Sequence, residues 1–325
     1  MTDHLTWGVL GTARFALGTM APAIHAASRS RLKSVATRSP DRAAPFTERF
    51  PGIEVVGDYD AILADPEIDA VYVPLPNALH TEWSVKAAEA GKHVLCEKPI
   101  GLSTGDIDTL IAARDATGKL IAEAWMPAHH PQWSRARDLI ADGAIGDLHT
   151  VTGSFSFGGL DPSNIRLSQE MGGGALYDIG VYPIGTFRFA TGLEPDPVHV
   201  DWTIENGVDT SAWVAARAGD VRFNFHVSMR TTKHQHMTFH GTAGTLTLTV
   251  PFNAHYWGEA SIRLNRENDT EAEVTRFPDV DQYVLQVENV AAHVLDGAAF
   301  GNPLEFTRGT QSTLDAIFAM GRAAG

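Results

Sequence analysis

Over its first 124 residues the chain alternates short apolar runs with stretches of helical period, without a break. Trp7-Gly8-Val9-Leu10 reads as a buried strand, Met20 to Ala27 as a helix after a glycine turn, and Leu32 to Thr37 as a second strand. Ser39 then stands where it can cap a helix that Pro40 opens. The alternation continues through strands at Ile53 to Val56, Ala70 to Pro74, His93 to Cys96 and Leu120 to Ala124, with helical segments between them. Parallel neighbours need long crossovers, and helices then cover both faces of the sheet. The pattern therefore predicts an α/β, doubly wound parallel sheet of Rossmann type over residues 1–124.

After a helix near Ser134 to Ala141 the period changes to two, in runs at His149 to Phe155, Val198 to Ile204, Ser211 to Ala216, Val221 to Val227, Met237 to Gly241 and Thr245 to Val250. Such runs joined by short polar turns predict an α+β domain over 125–325 with an open, mainly antiparallel sheet, and helices near Gly180 to Ala190, Tyr283 to Leu295 and Thr310 to Ala323. Two domains also suit the length, since 325 residues exceed what one core usually supports. Alternation leaves Trp202, Trp213, Phe223 and Phe225 needing cover from helices or a second subunit, so a homodimer or homotetramer through this sheet is expected.

Thirty-nine acidic residues against 25 basic ones argue against a nucleic-acid partner. No apolar run is long enough for a membrane span, and Met1 to His4 do not open a secretory signal. One cysteine, Cys96, excludes an internal disulfide and a multi-thiolate metal site, and a cytoplasmic location is the expectation.

Gly8-Val9-Leu10-Gly11-Thr12-Ala13-Arg14-Phe15 falls at the first strand-to-helix turn, where backbone N–H groups and the helix dipole can hold a pyrophosphate. The glycine fingerprint is degenerate, with Ala13 and Ala16 at its second and third positions. At the end of the second strand an acidic residue would bind the ribose 2′-hydroxyl and repel a 2′-phosphate. Here the chain reads Thr37-Arg38-Ser39, with Arg42 close behind, which favours NADP over NAD.

Three further segments carry a resemblance. Val71 to His80 includes Leu75-Pro76-Asn77, Gly91 to Pro99 ends in Glu97-Lys98-Pro99, and Gly172-Gly173-Gly174 leads into Asp178-Ile179-Gly180-Val181-Tyr182. In order and spacing they resemble the Gfo/Idh/MocA family of oxidoreductases over nearly the whole chain. Tyrosine at the last motif position is similar to the branch holding NADP-dependent xylose dehydrogenases and dimeric dihydrodiol dehydrogenases. The resemblance implies a carbohydrate substrate, cofactor contacts from Leu75, Pro76, Asn77, His80, Glu97 and Lys98, and a cis Lys98-Pro99 peptide. It also implies Tyr182 as acid/base. A nearby Lys98 ammonium would favour its phenolate, and Asp178, one turn earlier, would hold substrate or orient the lysine.

The chain departs from the branch at Trp125-Met126-Pro127-Ala128-His129-His130-Pro131, where an aromatic and an arginine are replaced by Pro127 and Ala128. Trp125 is either a stacking residue for nicotinamide or sugar, or a core aromatic. Arg166 either reaches substrate or caps its loop. The adjacent His129 and His130 diverge on a helix and do not suggest a metal site. The expected activity is NADP-dependent hydride transfer at a pyranose or cyclic-polyol hydroxyl. A glycoside hydrolase using transient oxidation with NAD, and a non-catalytic sensor of the same fold, are the alternatives.

Overall fold

The computed structural model describes residues 3–324 and divides into two compact units. One holds the chain up to Trp125 together with Tyr283–Arg308; the other holds Met126–Gln282 and the chain from Gly309 on.

In the first unit, strands β1 (Leu5–Leu10), β2 (Ser30–Ala36), β3 (Glu54–Val56), β4 (Ala70–Val73), β5 (His93–Glu97) and β6 (Ile121–Ala124) form one parallel sheet in the order β3-β2-β1-β4-β5-β6. Its crossovers carry helices α1 (Ala21–Ala26), α2 (Pro40–Arg49), α3 (Tyr59–Ala64), α4 (His80–Glu89) and α5 (Thr104–Thr117). Leu10, Ile62, Val71, Val94 and Ile107 share one core cluster, as expected where both sheet faces are covered. The strand order reverses between β1 and β4, and in such sheets ligands bind at the carboxyl ends beside that reversal. Pro40 opens α2 as expected, but the Ser39 side chain makes no capping bond; its backbone N–H bonds back to Thr37 Oγ1 instead.

The second unit begins with α6 (Pro131–Ala141), whose amino end is capped by His130 Nδ1, and β7 (Leu148–Ser156). Helix α7 (Val181–Thr191) follows, then β8 (Asp196–Glu205), β9 (Val208–Ala218), β10 (Val221–Ser228), β11 (His234–Gly241), β12 (Gly244–Leu248), β13 (Ala260–Arg266) and β14 (Glu273–Phe277). They form an eight-stranded sheet in the order β14-β13-β12-β11-β7-β10-β9-β8. All neighbours are antiparallel except β7 and β10, which the β8–β9 excursion separates in sequence. The last two strands are not among the period-two runs: Ala260–Arg266 carries Arg263 and Arg266, and the edge strand Glu273–Phe277 is short and carries Glu273 and Arg276.

Phe223 and Phe225 do not lie on an open face: both are buried, and Phe223 stacks on Phe187 of α7 with ring centroids 4.5 Å apart. Trp202 is half-buried and packs on Phe318 of the C-terminal helix. Trp213 alone of the four is strongly exposed, at 60%, stacked on His226 of the neighbouring strand.

The C-terminal part is not the continuous 125–325 domain expected. Helix α8 (Gln282–Asp296) and the first turn of α9 (Leu304–Ala324) group largely with the first unit. The cause is a set of specific contacts: Tyr283 packs edge-on against Phe15, Asn302 and Thr307 bond to Glu123, and Glu305 and Arg308 pair with Arg114 and Asp108.

Candidate active site

In the first unit the candidate cofactor residues collect at the carboxyl ends of the strands. Gly11 takes φ +114°, a conformation open to glycine, and its N–H returns to the Val9 carbonyl, which turns the chain sharply out of β1. A π-helical turn, Ala16–Met20, follows and feeds α1. Gly8 is packed so closely on Ile62 that a Cβ would require that side chain to move. Arg14 and Phe15 are exposed, while Thr12 and Ala13 are half-buried. At the ends of β2 and β3 an open cavity of about 380 Å³ is lined by Thr37, Arg38, Val55, Val56 and Gly57, and Arg42 is exposed on α2 nearby in sequence. A glycine-turned loop at a helix start and a cavity lined, among the described residues, by a guanidinium and a hydroxyl without a carboxylate fit a dinucleotide carrying a 2′-phosphate.

The Lys98-Pro99 peptide is cis, as the resemblance implied. His80 is fully buried; its Nδ1 lies 2.7 Å from the Pro99 carbonyl oxygen and its Nε2 2.7 Å from that of Leu75. Both ring nitrogens thus face backbone carbonyls, and His80 lies between the two loops Leu75-Pro76-Asn77 and Lys98-Pro99. Burial lowers its pKa, and the two carbonyls oppose that shift. Glu97 accepts a 2.6 Å bond from the Tyr72 hydroxyl, whose pKa burial pushes up, helped by the adjacent carboxylate.

Two residues that matter here were not singled out from sequence. Glu123, at the end of β6, is fully buried and takes bonds from the Ile100 N–H and the Thr307 hydroxyl. Burial raises its pKa to about 7 against the pull of those donors and of Lys98. A charged residue inside the otherwise apolar run Leu120 to Ala124 was the available signal. Trp125, the next residue but one, is buried and packs on Phe306, so of its two possible roles core packing is what the structure shows.

In the second unit Asp178 lies in a π-helical turn, Leu176–Gly180, that runs into α7, and Tyr182 is the second residue of α7. Both are nearly buried. Arg166, on the preceding loop, donates from Nε to Asp178 Oδ2 at 2.7 Å, which brings two expected substrate residues together. The Tyr182 ring lies among Phe155 and Phe252, with centroids 5.2 and 5.5 Å away, and Trp257 closes on Phe155 at 5.5 Å. A phenol, a carboxylate and a guanidinium against an aromatic wall can bind hydroxyl groups and exchange one proton in a setting poor in water. The second residue missed by sequence is Asp209 of β9, which accepts the Leu176 N–H at 2.7 Å.

The models of two protein domains match this chain: an oxidoreductase family with an NAD-binding Rossmann fold over residues 5–124, and the GFO/IDH/MocA C-terminal domain over residues 133–247. An uncharacterized oxidoreductase of Rhizobium meliloti is 39% identical, covering 97% of this chain and 96% of its own. A D-xylose 1-dehydrogenase (NADP(+)) of Haloferax volcanii is 31% identical over 97% and 96%. Among solved structures, KijD10, a 3-ketoreductase from Actinomadura kijaniata in complex with NADP and TDP-benzene, superposes with a TM-score of 0.90 at 31% identity and covers 98% of both chains.

Proposed function

This chain belongs to the GFO/IDH/MocA family of oxidoreductases, and we propose that within it the protein is an NADP-dependent enzyme that interconverts a hydroxyl and a carbonyl on a pyranose or related cyclic polyol. The observation that carries this reading is Asp178, paired with Arg166 of the preceding loop, in the helical segment that also bears Tyr182, because a charged pair and a phenol suit a substrate made of hydroxyl groups. When bound, the cofactor accepts or returns a hydride at nicotinamide C4. Gly11 to Phe15 would cradle its pyrophosphate, and Thr37, Ser39 and Arg38 would hold its 2′-phosphate.

The residues of this chain supply the proton chemistry. Tyr182 Oη takes the proton from the reacting hydroxyl during oxidation and returns it during reduction. Lys98 Nζ offsets the negative charge on the oxygen that loses that proton. Asp178, fixed by Arg166, accepts bonds from neighbouring hydroxyls and so sets which carbon reacts. The xylose dehydrogenase and the 3-ketoreductase among the relatives support a sugar as substrate and NADP as cofactor. The single buried Cys96, a thiol whose pKa burial raises, is in keeping with a reducing compartment such as the cytoplasm.

The test is reduction of NADP, and separately of NAD, followed by absorbance over a panel of free and nucleotide-linked pyranoses. With a substrate so found, Tyr182→Phe and Lys98→Met should each lower kcat by roughly 10² to 10⁴ with cofactor affinity little changed, and the double variant should be little worse than either. Near-normal turnover in either single variant overturns the assignment.

A further inference from the structure

The glycine triplet Gly172-Gly173-Gly174 precedes the segment bearing Asp178 and Tyr182, and the reaction just described gives it no task. Its surroundings explain it. Gly173 donates its N–H to the Ser168 carbonyl and Gly174 donates to the Arg166 carbonyl. A Cβ at Gly173 would overlap the Arg166 and Ser168 carbonyl oxygens. A Cβ at Gly174, which has φ +125°, would overlap Oδ1 of Asp209. Asp209 is 3% exposed, and its Oδ2 accepts the Leu176 N–H at 2.7 Å, with the N–H groups of Ala175 and of Asp209 itself also bonded to the carboxylate. The helical segment starting there has no side-chain cap of its own, because Ala175 occupies the capping position. A buried helix start leaves N–H donors that need an acceptor, and a carboxylate is the acceptor the helix dipole favours.

We propose that Asp209 is a positioning residue for the reaction: reaching across from β9, its carboxylate anchors the first turn of the segment that carries Asp178 and Tyr182, while Gly174 makes room for it and ties the Arg166 loop to the same point. The proposal rests on the reading of Asp178 and Tyr182 given above. A carboxylate so far from water makes the stronger bonds that hold an angle, at a cost visible in its pKa, which burial raises to about 7 against the pull of the three N–H groups. The chain Asp178 N–H to Gly174 carbonyl, Gly174 N–H to Arg166 carbonyl, and Arg166 Nε to Asp178 Oδ2 closes a ring, and Asp209 holds the stretch of it between Gly174 and Asp178 through the Ala175 and Leu176 N–H groups. A shift of about 1 Å in the stretch that Asp209 holds would displace Asp178 with its Arg166 partner and, four residues on, Tyr182, and displacements of that size can lower turnover by roughly 10².

The experiment compares Asp209→Asn, Asp209→Ala and Gly174→Ala in the full chain. Amide hydrogen exchange is measured over 175–182 and, as a control, over 283–296, together with kcat and the KM for NADP on a substrate from the panel. The expected result is exchange at least about tenfold faster over 175–182 with the control unchanged, kcat lowered by roughly 10² in Asp209→Ala and less in Asp209→Asn, which keeps one acceptor oxygen, and an NADP KM within about twofold of wild type. If Asp209→Ala does not fold, Asp209→Asn and Gly174→Ala give the same comparison. Wild-type exchange over 175–182 in the variants that fold overturns the anchor. Faster exchange with unchanged kcat overturns the positioning role, as does a loss spread equally over the control segment. Full activity in Tyr182→Phe would instead remove the catalytic reading, and the exchange result would still decide the anchor.

Discussion

Glu123 gives a prediction whose size follows from its surroundings. Its carboxyl group is fully buried at the end of β6, and its acceptors are met by the Ile100 N–H at 3.2 Å and the Thr307 hydroxyl at 3.1 Å. These do not outweigh the loss of water, and the pKa rises from 4.5 to about 7. At 1.36 kcal/mol per pKa unit, holding the ionised form in the native state costs about 3 kcal/mol. The sign follows from proton counting. Between pH 4.5 and 7 the native state binds a proton that the unfolded state has released, so this group's contribution falls as pH rises through that window and is level above it. Glu123→Gln removes the titration. The amide oxygen keeps the Ile100 bond, and the Thr307 hydroxyl can turn to accept from the amide nitrogen. Urea unfolding followed by tryptophan fluorescence at pH 5, 6, 7 and 8 should show the variant gaining on the wild type by about 2.5 kcal/mol across the series, with the gain nearly complete at pH 8. Asp209, also raised to about 7, lowers stability in the same direction but is common to both proteins and cancels. A stability difference that stays constant from pH 5 to pH 8 would refute the reasoning.

Arg38→Ala should weaken NADP binding by about 1.5 to 3 kcal/mol, as for a lost charge-assisted contact, and leave NAD nearly untouched; isothermal titration with both cofactors checks this, and equal losses would exclude a 2′-phosphate contact. Light scattering at micromolar concentration should give the mass of a homodimer or homotetramer, with the sheet face bearing the exposed Trp213 and His226 as the contact. Trp213→Lys should then lower that mass without altering the circular dichroism spectrum, and a monomeric wild type would reject the association. Phe223→Ala, which empties a fully buried site stacked on Phe187, should lower stability by about 3 to 5 kcal/mol; a loss under about 1 kcal/mol in urea unfolding would mean that the α7 packing closes over the gap.

The sequence by itself determined the local and the periodic. Six strands with crossover helices, the glycine turn at Gly11 and the Thr37-Arg38-Ser39 strand end could be read because each depends on neighbours within one turn or one strand, while the Lys98-Pro99 corner and the Asp178 to Tyr182 motif came from the family resemblance. Tertiary structure decided which of these residues meet others far away along the chain. Arg166 was ambiguous as a loop residue and became a partner of Asp178 only through the glycine triplet's turn. His80 read as a cofactor contact and became a tie between two loops 19 and 5 residues distant. Phe223 and Phe225 alternated with polar neighbours in a way that fixes their shared face but not which face α7 would cover. Asp209, 33 residues from the Leu176 N–H it accepts, carried no local signal, since a carboxylate within a strand looks solvated until the fold buries it. Periodicity records which side of an element is apolar; desolvation, which fixes the titration of Glu123 and Asp209, depends on what packs against that element, and only the folded chain supplies it.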